Sequence, residues 1–323
     1  MGNCRSNSYK HPIPDIAIGK QTPERCLAAV QKNPYNICFI KKQTPELCRL
    51  AVEKNWNVLL YVDKKFHTYE LCMAAIEQNA IAIKYVKNKS RIHELRLAAI
   101  RKDFESMRYI KSKYITENLC WEAIKSSPAA IMMVSASTKR HYTYEFCLKA
   151  LRYNGLILQF IQYPNSVDDL MRITAIRQNG YAIRHIGYCY DSHDYCLEAV
   201  KQNGLALECV DKRFYTARLF LEAVNQNGLA LKFVKSRSYD ICLAAVKQNG
   251  LALEFVESQS PEICLAAVKQ NGLALEYVQA IFLTDKLRRA ANEQKKQFSE
   301  TIEIPYPMLQ NDDTMWSPTQ WRI

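Results

Sequence analysis

The sequence predicts an all-α fold, an α-solenoid of about eleven 22–27-residue two-helix repeats followed by a degenerate terminal unit. Three observations carry that prediction. The thirteen residues CLAAVKQNGLALE occur twice without a change, from Cys242 and from Cys264. Blurred copies recur at a nearly constant period at Cys26, Cys48, Cys72, Arg96, Cys120, Cys147, Arg172, Cys196 and Phe220. Six of only nine glycines (Gly155, Gly180, Gly204, Gly228, Gly250 and Gly272) fall at one position of the string. Self-similarity at such a period is the mark of stacked units, each offering its neighbours the same surface.

The first helix of each repeat, helix A, has a written start. Thr22, Thr44, Thr68, Thr116, Thr143, Ser192, Thr216, Ser238 and Ser260 stand four residues before the reference position. A hydroxyl there accepts from the unpaired N–H groups of the first turn. Pro23, Pro45 and Pro261 follow, where a missing N–H costs nothing. Glu24, Glu46, Glu70, Glu145 and Glu262 then place negative charge at the positive end of the helix dipole.

The stop follows the last turn. The six glycines lie just past it, and are expected to take the left-handed conformation that ends a helix. Earlier repeats carry Pro34, Trp56, Ala80, Phe104 and Pro128 there, so Asn55 and Asn79 are expected to take the left-handed role instead. Helix B, "LALEFV" and its relatives, spans about two turns and is apolar on nearly every side. A helix that short is stable only between neighbours. At roughly 8–10 Å per layer the array would form a curved rod on the order of 100 Å long.

Three segments follow: residues 1–20 as an N-terminal segment with a candidate lipidation signal, 21–296 as the solenoid, and 297–323 as a C-terminal tail. The degenerate last unit, TDKLRRAANEQKK, begins at Thr284, and the tail leaves the pattern with three prolines and Trp316 and Trp321.

At 48% hydrophobic the chain has the apolar content of a globular protein, which argues against wholesale disorder. No apolar run reaches the eighteen residues of a membrane span, and the N-terminus lacks the apolar stretch of a secretory signal. An intracellular, reducing compartment is expected, with host cytoplasm and membrane association as the finer reading. The formal charge of +12 is uneven: residues 1–161 hold 26 Lys and Arg against 13 Asp and Glu, whereas residues 162–323 hold 18 against 19. Any electrostatic partner belongs to the first half.

The consensus T-x-E-x-C-L-x-A-V-x-x-N-G-x-A-L-x-x-V resembles a helical-repeat family of unknown function, found in many copies in giant DNA viruses and some bacteria. The clearest copies are residues 192–278, and weaker ones extend it over about 22–296. The resemblance implies the helical-repeat fold and a viral source, and it supplies no catalytic residue.

No catalytic, metal or cofactor residue is expected. Eight of the twelve cysteines occupy the reference column, about one layer apart and beyond the roughly 7 Å that a disulfide spans. No C-x-x-C pair exists and the six histidines lack zinc-ligand spacing, so these cysteines read as core. The Asn column (Asn33, Asn55, Asn79, Asn154, Asn179, Asn203, Asn227, Asn249 and Asn271) reads as a structural ladder at the helix end. His67, His93 and His193 read as decoration of helix starts.

Two features point outward. The connectors from helix B to the next helix A carry Lys41, Lys42, Lys64, Lys65, Lys87, Lys89, Arg91, Lys111, Lys113, Lys139 and Arg140, a candidate basic binding edge. Solvated loops are also polar as a rule, so the residues alone leave both readings open. MGNCRS fits the M-G-x-x-x-[S/T] pattern for N-myristoylation at Gly2, with Cys4 as a candidate palmitoylation site. The expected function is a non-enzymatic scaffold for macromolecular interaction, first with an unidentified protein. A lipid-anchored protein with a basic edge on an anionic membrane is the first alternative. A nucleic-acid-binding solenoid is the second, although no column varies as a base-reading code requires.

Overall fold

The computed structural model describes residues 20–87, 91–161, 167–186 and 192–301, the stretch 295–301 by its backbone alone. Among them the regular structure is helical, with no strand. The chain separates into two compact units, Met1–Gln202 and Asn203–Ile323.

The repeat is visible in both units. Helix A is an α-helix, ten residues long in most copies, as in Pro45–Lys54, Tyr69–Gln78 and Pro261–Gln270. Its expected caps form. Thr22, Thr44, Thr68, Thr116, Thr143, Thr216 and Ser260 accept from the N–H three residues on, and Ser192 does so for Tyr195. Asp168 takes the role where the column has no hydroxyl, accepting from Met171. Ser238 makes no such bond. Each cap stabilises its helix by about 1 kcal/mol.

Helix B is a 3-10 helix of six residues, for example Trp56–Tyr61, Gly204–Cys209 and Gly250–Phe255. One repeat departs: behind Pro128 an α-helix, Ala130–Ser137, takes its place. The 3-10 form is short because its hydrogen bonds are poorer and its side chains eclipse.

The turn between the two helices differs from the sequence expectation. Asn55 and Asn79 are extended, at φ −158° and −152°, not left-handed. Asn33, Asn55, Asn79, Asn154, Asn179, Asn227, Asn249 and Asn271 end helix A with the backbone N–H on the Ala carbonyl four residues back. The Oδ1 of each column Asn accepts from the N–H two residues ahead at 2.9–3.0 Å, the same way from Tyr35 through Leu251 to Leu273. The amide therefore ends one helix and starts the next.

The glycines do other work too. None of Gly155, Gly204, Gly228, Gly250 and Gly272 lies in the left-handed region, and Gly180 likewise opens a 3-10 helix behind an extended Asn179. A Cβ at Gly250 would stand 2.3 Å from the carbonyl oxygen of Ala267 in the next repeat. At Gly155, Gly204, Gly228 and Gly272 the same oxygen (of Ala175, Ala223, Ala245 and Ala291) would be 2.2–2.7 Å away. The column is glycine because adjacent backbones touch there.

The core runs between the layers. Cys242, Ala245 and Val246 of helix A and Ala252, Leu253 and Val256 of the following segment are buried, and the pattern repeats at Cys264, Ala267 and Val268. Alanine lets helices approach, while leucine and valine fill the space, each worth roughly 1.5–3 kcal/mol when fully buried. The last helix, Asp285–Thr301, runs past residue 296, where the repeat pattern stops.

Candidate interaction surface

Two sets of side chains, mostly glutamines, bind one repeat to another in part of the array. The first was not anticipated from sequence. The last residue of helix A recurs as Gln78, Gln178, Gln202, Gln226, Gln248 and Gln270. Its Oε1 accepts from the N–H that opens the 3-10 helix of the preceding repeat: Gln178 from Gly155, Gln202 from Gly180, and Gln248 from Gly228, each at 2.6 Å. Its Nε2 donates back to a carbonyl at the end of the preceding helix A. Gln178 reaches Tyr153 at 3.2 Å, while Gln248 reaches Gln226 and Gln270 reaches Gln248 at 3.3 Å. The ladder onto neighbouring backbone expected of the asparagines is made by these glutamines, since the Asn Oδ1 accepts inside its own repeat and the one column Asn side chain shown reaching across, Asn55, donates to the Tyr35 hydroxyl. An exposed Gln recurring at one register was the available signal.

The second set lies at the other end of helix A, where connectors stack. Gln43 donates to the Tyr61 carbonyl at 2.9 Å and accepts from the Asp63 N–H at 2.8 Å. Gln21 does the same for Phe39 and Lys41, and Gln259 for Tyr277 and Gln279. His67 replaces the glutamine in one repeat. The Lys87 N–H donates to its Nδ1 at 3.3 Å, so the ring proton sits on Nε2, which donates to the Val62 carbonyl at 3.1 Å. His67 is buried, and burial pushes its pKa below the usual histidine value, with the nearby Lys87 charge acting the same way and the Val62 bond opposing it.

These side chains hold the connectors at Lys41, Asp63 and Lys87, and connectors are where the basic residues stand. Across 40–44, 62–68, 86–91, 110–116 and 138–143 there are eleven Lys and Arg against one acid, Asp63. Lys41, Lys42, Lys64, Lys65, Lys87, Arg91, Lys111, Lys113, Lys139 and Arg140 are all exposed. Lys89 lies outside the described residues, as do Gly2 and Cys4.

The structure divides this edge into two groups. Lys87 Nζ donates to the Val62 and Leu60 carbonyls of the previous connector at 2.9 and 3.1 Å. Arg140 Nη2 donates to the Ile115 carbonyl at 2.7 Å. Arg91, the one described non-glycine residue with positive φ, is forked onto Glu94 and lies 3.7 Å from the centre of the Tyr69 ring. Those three cations serve the fold. The ammonium groups of Lys41, Lys42, Lys64, Lys65, Lys111, Lys113 and Lys139 make no ion pair or hydrogen bond among the described residues, although Lys65 and Lys113 rest over Phe66 and Tyr114. In the second unit the connectors are weaker, four basic residues against two acids, and Arg213 and Arg237 are paired with Asp211 and Glu257.

The cysteine column is core. Cys48, Cys72, Cys120 and Cys147 are fully buried and unpaired. Burial pushes the Cys48, Cys72 and Cys120 thiols up to about 12, which suppresses thiolate chemistry. No group of side chains suited to a metal ion occurs among the described residues. A cleft of about 110 Å³ beside Glu117, Arg140, His141 and Lys149 falls well below the roughly 300 Å³ of a small-molecule site. No described helix is long and apolar enough to cross a membrane.

A family model described as "Domain of unknown function (DUF4116)" matches residues 218–259 and again 238–283. The start of its second match, at 238, lies about one repeat beyond the start of the first, at 218. No curated protein and no solved structure matches the chain.

Proposed function

We propose that this chain is a non-enzymatic repeat scaffold that presents the connector edge of residues 41–140 to an acidic macromolecular partner. One observation carries the reading: seven connector lysines make no ion pair or hydrogen bond among the described residues, and four of them (Lys41, Lys42, Lys64 and Lys65) stand on connectors that Gln21 and Gln43 hold. Cations that have no partner within the fold are available to an opposite charge without first breaking an internal ion pair. The two matches to a family of unknown function fit a repeat array, and the T-x-E-x-C-L-x-A-V consensus supports placing the chain among repeat proteins of giant DNA viruses.

Lysine footprinting tests the reading. The purified chain and the chain in cell extract are acetylated briefly, and peptides are compared by mass. Protection of Lys41, Lys64 and Lys111 in extract, with Lys32, Lys54 and Lys102 at the other end of helix A unchanged, supports the edge. Equal modification in both settings refutes it.

A further inference from the structure

The geometry points to an anionic lipid bilayer as the partner of the lysine edge, which rests on the edge reading above and goes beyond it. Nucleic acid, acidic protein and membrane would all attract seven lysines, and the local chemistry separates them.

The free cations are all lysine. Both arginines of the edge are consumed, Arg91 by Glu94 and Arg140 by carbonyl oxygens. Arginine is the residue whose planar fork reads phosphates and bases bidentately, whereas lysine acts as a mobile point charge. A row of lysines suits a surface of diffuse charge better than a nucleic-acid strand read group by group.

The aromatic rings beside the edge are already occupied. Trp56 stacks on Tyr85 with centroids 6.4 Å apart. Lys84 Nζ lies 5.6 Å from both the Tyr85 and Tyr109 rings. Arg96 lies 4.4 Å from the centre of Tyr114, and Lys65 lies 4.8 Å from that of Phe66. Single-stranded nucleic acid gains much of its affinity by stacking bases on open aromatic faces, and these faces are covered.

A protein partner fits less well. Lysine is depleted at protein interfaces relative to the rest of the surface, and arginine enriched. The edge has the opposite bias.

A bilayer matches what remains. Ser112–Tyr114 is a 3-10 turn at the connector tip, and Tyr114, 43% exposed, stands beside Lys111 and Lys113. Lys64–Phe66 repeats the arrangement with a half-buried Phe66. Tyrosine, with an apolar ring and a polar tip, sits naturally at headgroup depth even with a ring face covered. A basic residue near an anionic leaflet strengthens binding about five-fold, so seven together give roughly 10⁴–10⁵-fold if all engage. In free energy that is about 7 kcal/mol, at about 1 kcal/mol for each lysine engaged, a contribution that needs no lipid at Gly2.

The test is co-sedimentation of the full, unacylated chain with phosphatidylcholine vesicles, with and without phosphatidylserine. The same assay is run by anisotropy on a single-stranded oligonucleotide and on polyglutamate. Binding to the serine-containing vesicles alone is expected. Neutralising Lys41, Lys42, Lys64 and Lys65 to Gln should weaken it by several hundred-fold at low salt, at about five-fold per lysine. Neutralising Lys32, Lys54 and Lys102 should leave it within a few-fold. Thermal melts confirm that both variants fold, and Lys87→Gln, which touches only the connector bonds, should lower the melting temperature more than the binding.

Equal loss in both variants would show a response to net charge and overturn the assignment. Binding of the oligonucleotide or polyglutamate through the same four lysines, without vesicle binding, would overturn the bilayer and leave the edge reading standing. Indifference of the edge variant to every probe would overturn both.

Discussion

Replacing Gly250 with alanine asks why the repeat carries glycine at all. The added Cβ would stand 2.3 Å from the Ala267 carbonyl oxygen and 3.0 Å from both the N and Cβ of Asn271. An ordinary carbon–oxygen contact needs about 3.3 Å, so the next helix must withdraw by about 1 Å. Overpacking of this kind costs about 1–3 kcal/mol. Withdrawal also loosens the Gly250 N–H to Gln270 Oε1 bond, adding about 1 kcal/mol. The sum, roughly 2–4 kcal/mol, would lower the melting temperature by something near 10 °C for a domain of this size. The assay is urea denaturation of wild type, Gly250→Ala and Gly250→Asn. A steric cause ranks asparagine as no better than alanine, because any Cβ collides. A left-handed turn ranks asparagine above alanine, because asparagine tolerates that backbone. An asparagine variant more stable than the alanine variant would refute the close-contact argument. So would an alanine variant within the roughly ±0.5 kcal/mol of wild type that surface changes ordinarily show.

Other outcomes follow from the same contacts. Gln270→Glu keeps an acceptor for Gly250 but cannot donate to the Gln248 carbonyl. The urea midpoint should fall by the equivalent of about 1 kcal/mol with an unchanged m-value, and should recover partly in acid as the carboxyl regains a proton. His67 is held neutral in the folded chain and its pKa lies below 6.5, so the unfolded chain takes up a proton first as pH falls. Its contribution is complete above pH 6.5 and is lost as pH drops through the folded value. Melting curves on either side of that pH should show a slope that His67→Gln, restoring the amide of Gln43, removes. Cys48, Cys72 and Cys120, with thiols near 12, should stay unalkylated in the native chain and react after denaturation, as read by peptide mass.

Local chemistry was legible because it is written within a few residues of itself. Thr44 before Pro45, Glu46 two residues into the helix and Asn55 at its end specify a ten-residue helix without reference to anything distant. The cysteine column read as core, and Cys48 is fully buried. The 22–27-residue period then fixed the solenoid class, since a unit that small buries nothing alone.

What the tertiary structure alone decided concerns contacts across a repeat. Glycine after asparagine reads as a left-handed helix stop in any single copy, and only the neighbouring Ala267 oxygen shows that space, not φ, selects it. Gln178 looks like an ordinary solvated residue until its amide is seen bonding the backbone 23 and 25 residues back. The eleven basic connector residues are alike in sequence, yet Lys87 and Arg140 are drawn onto carbonyls while Lys41, Lys64 and Lys111 are left free. A sequence records propensity and periodicity residue by residue. Which groups end up within hydrogen-bonding reach of one another depends on how the layers stack, and that sorted the cations that serve the fold from those left to meet a partner.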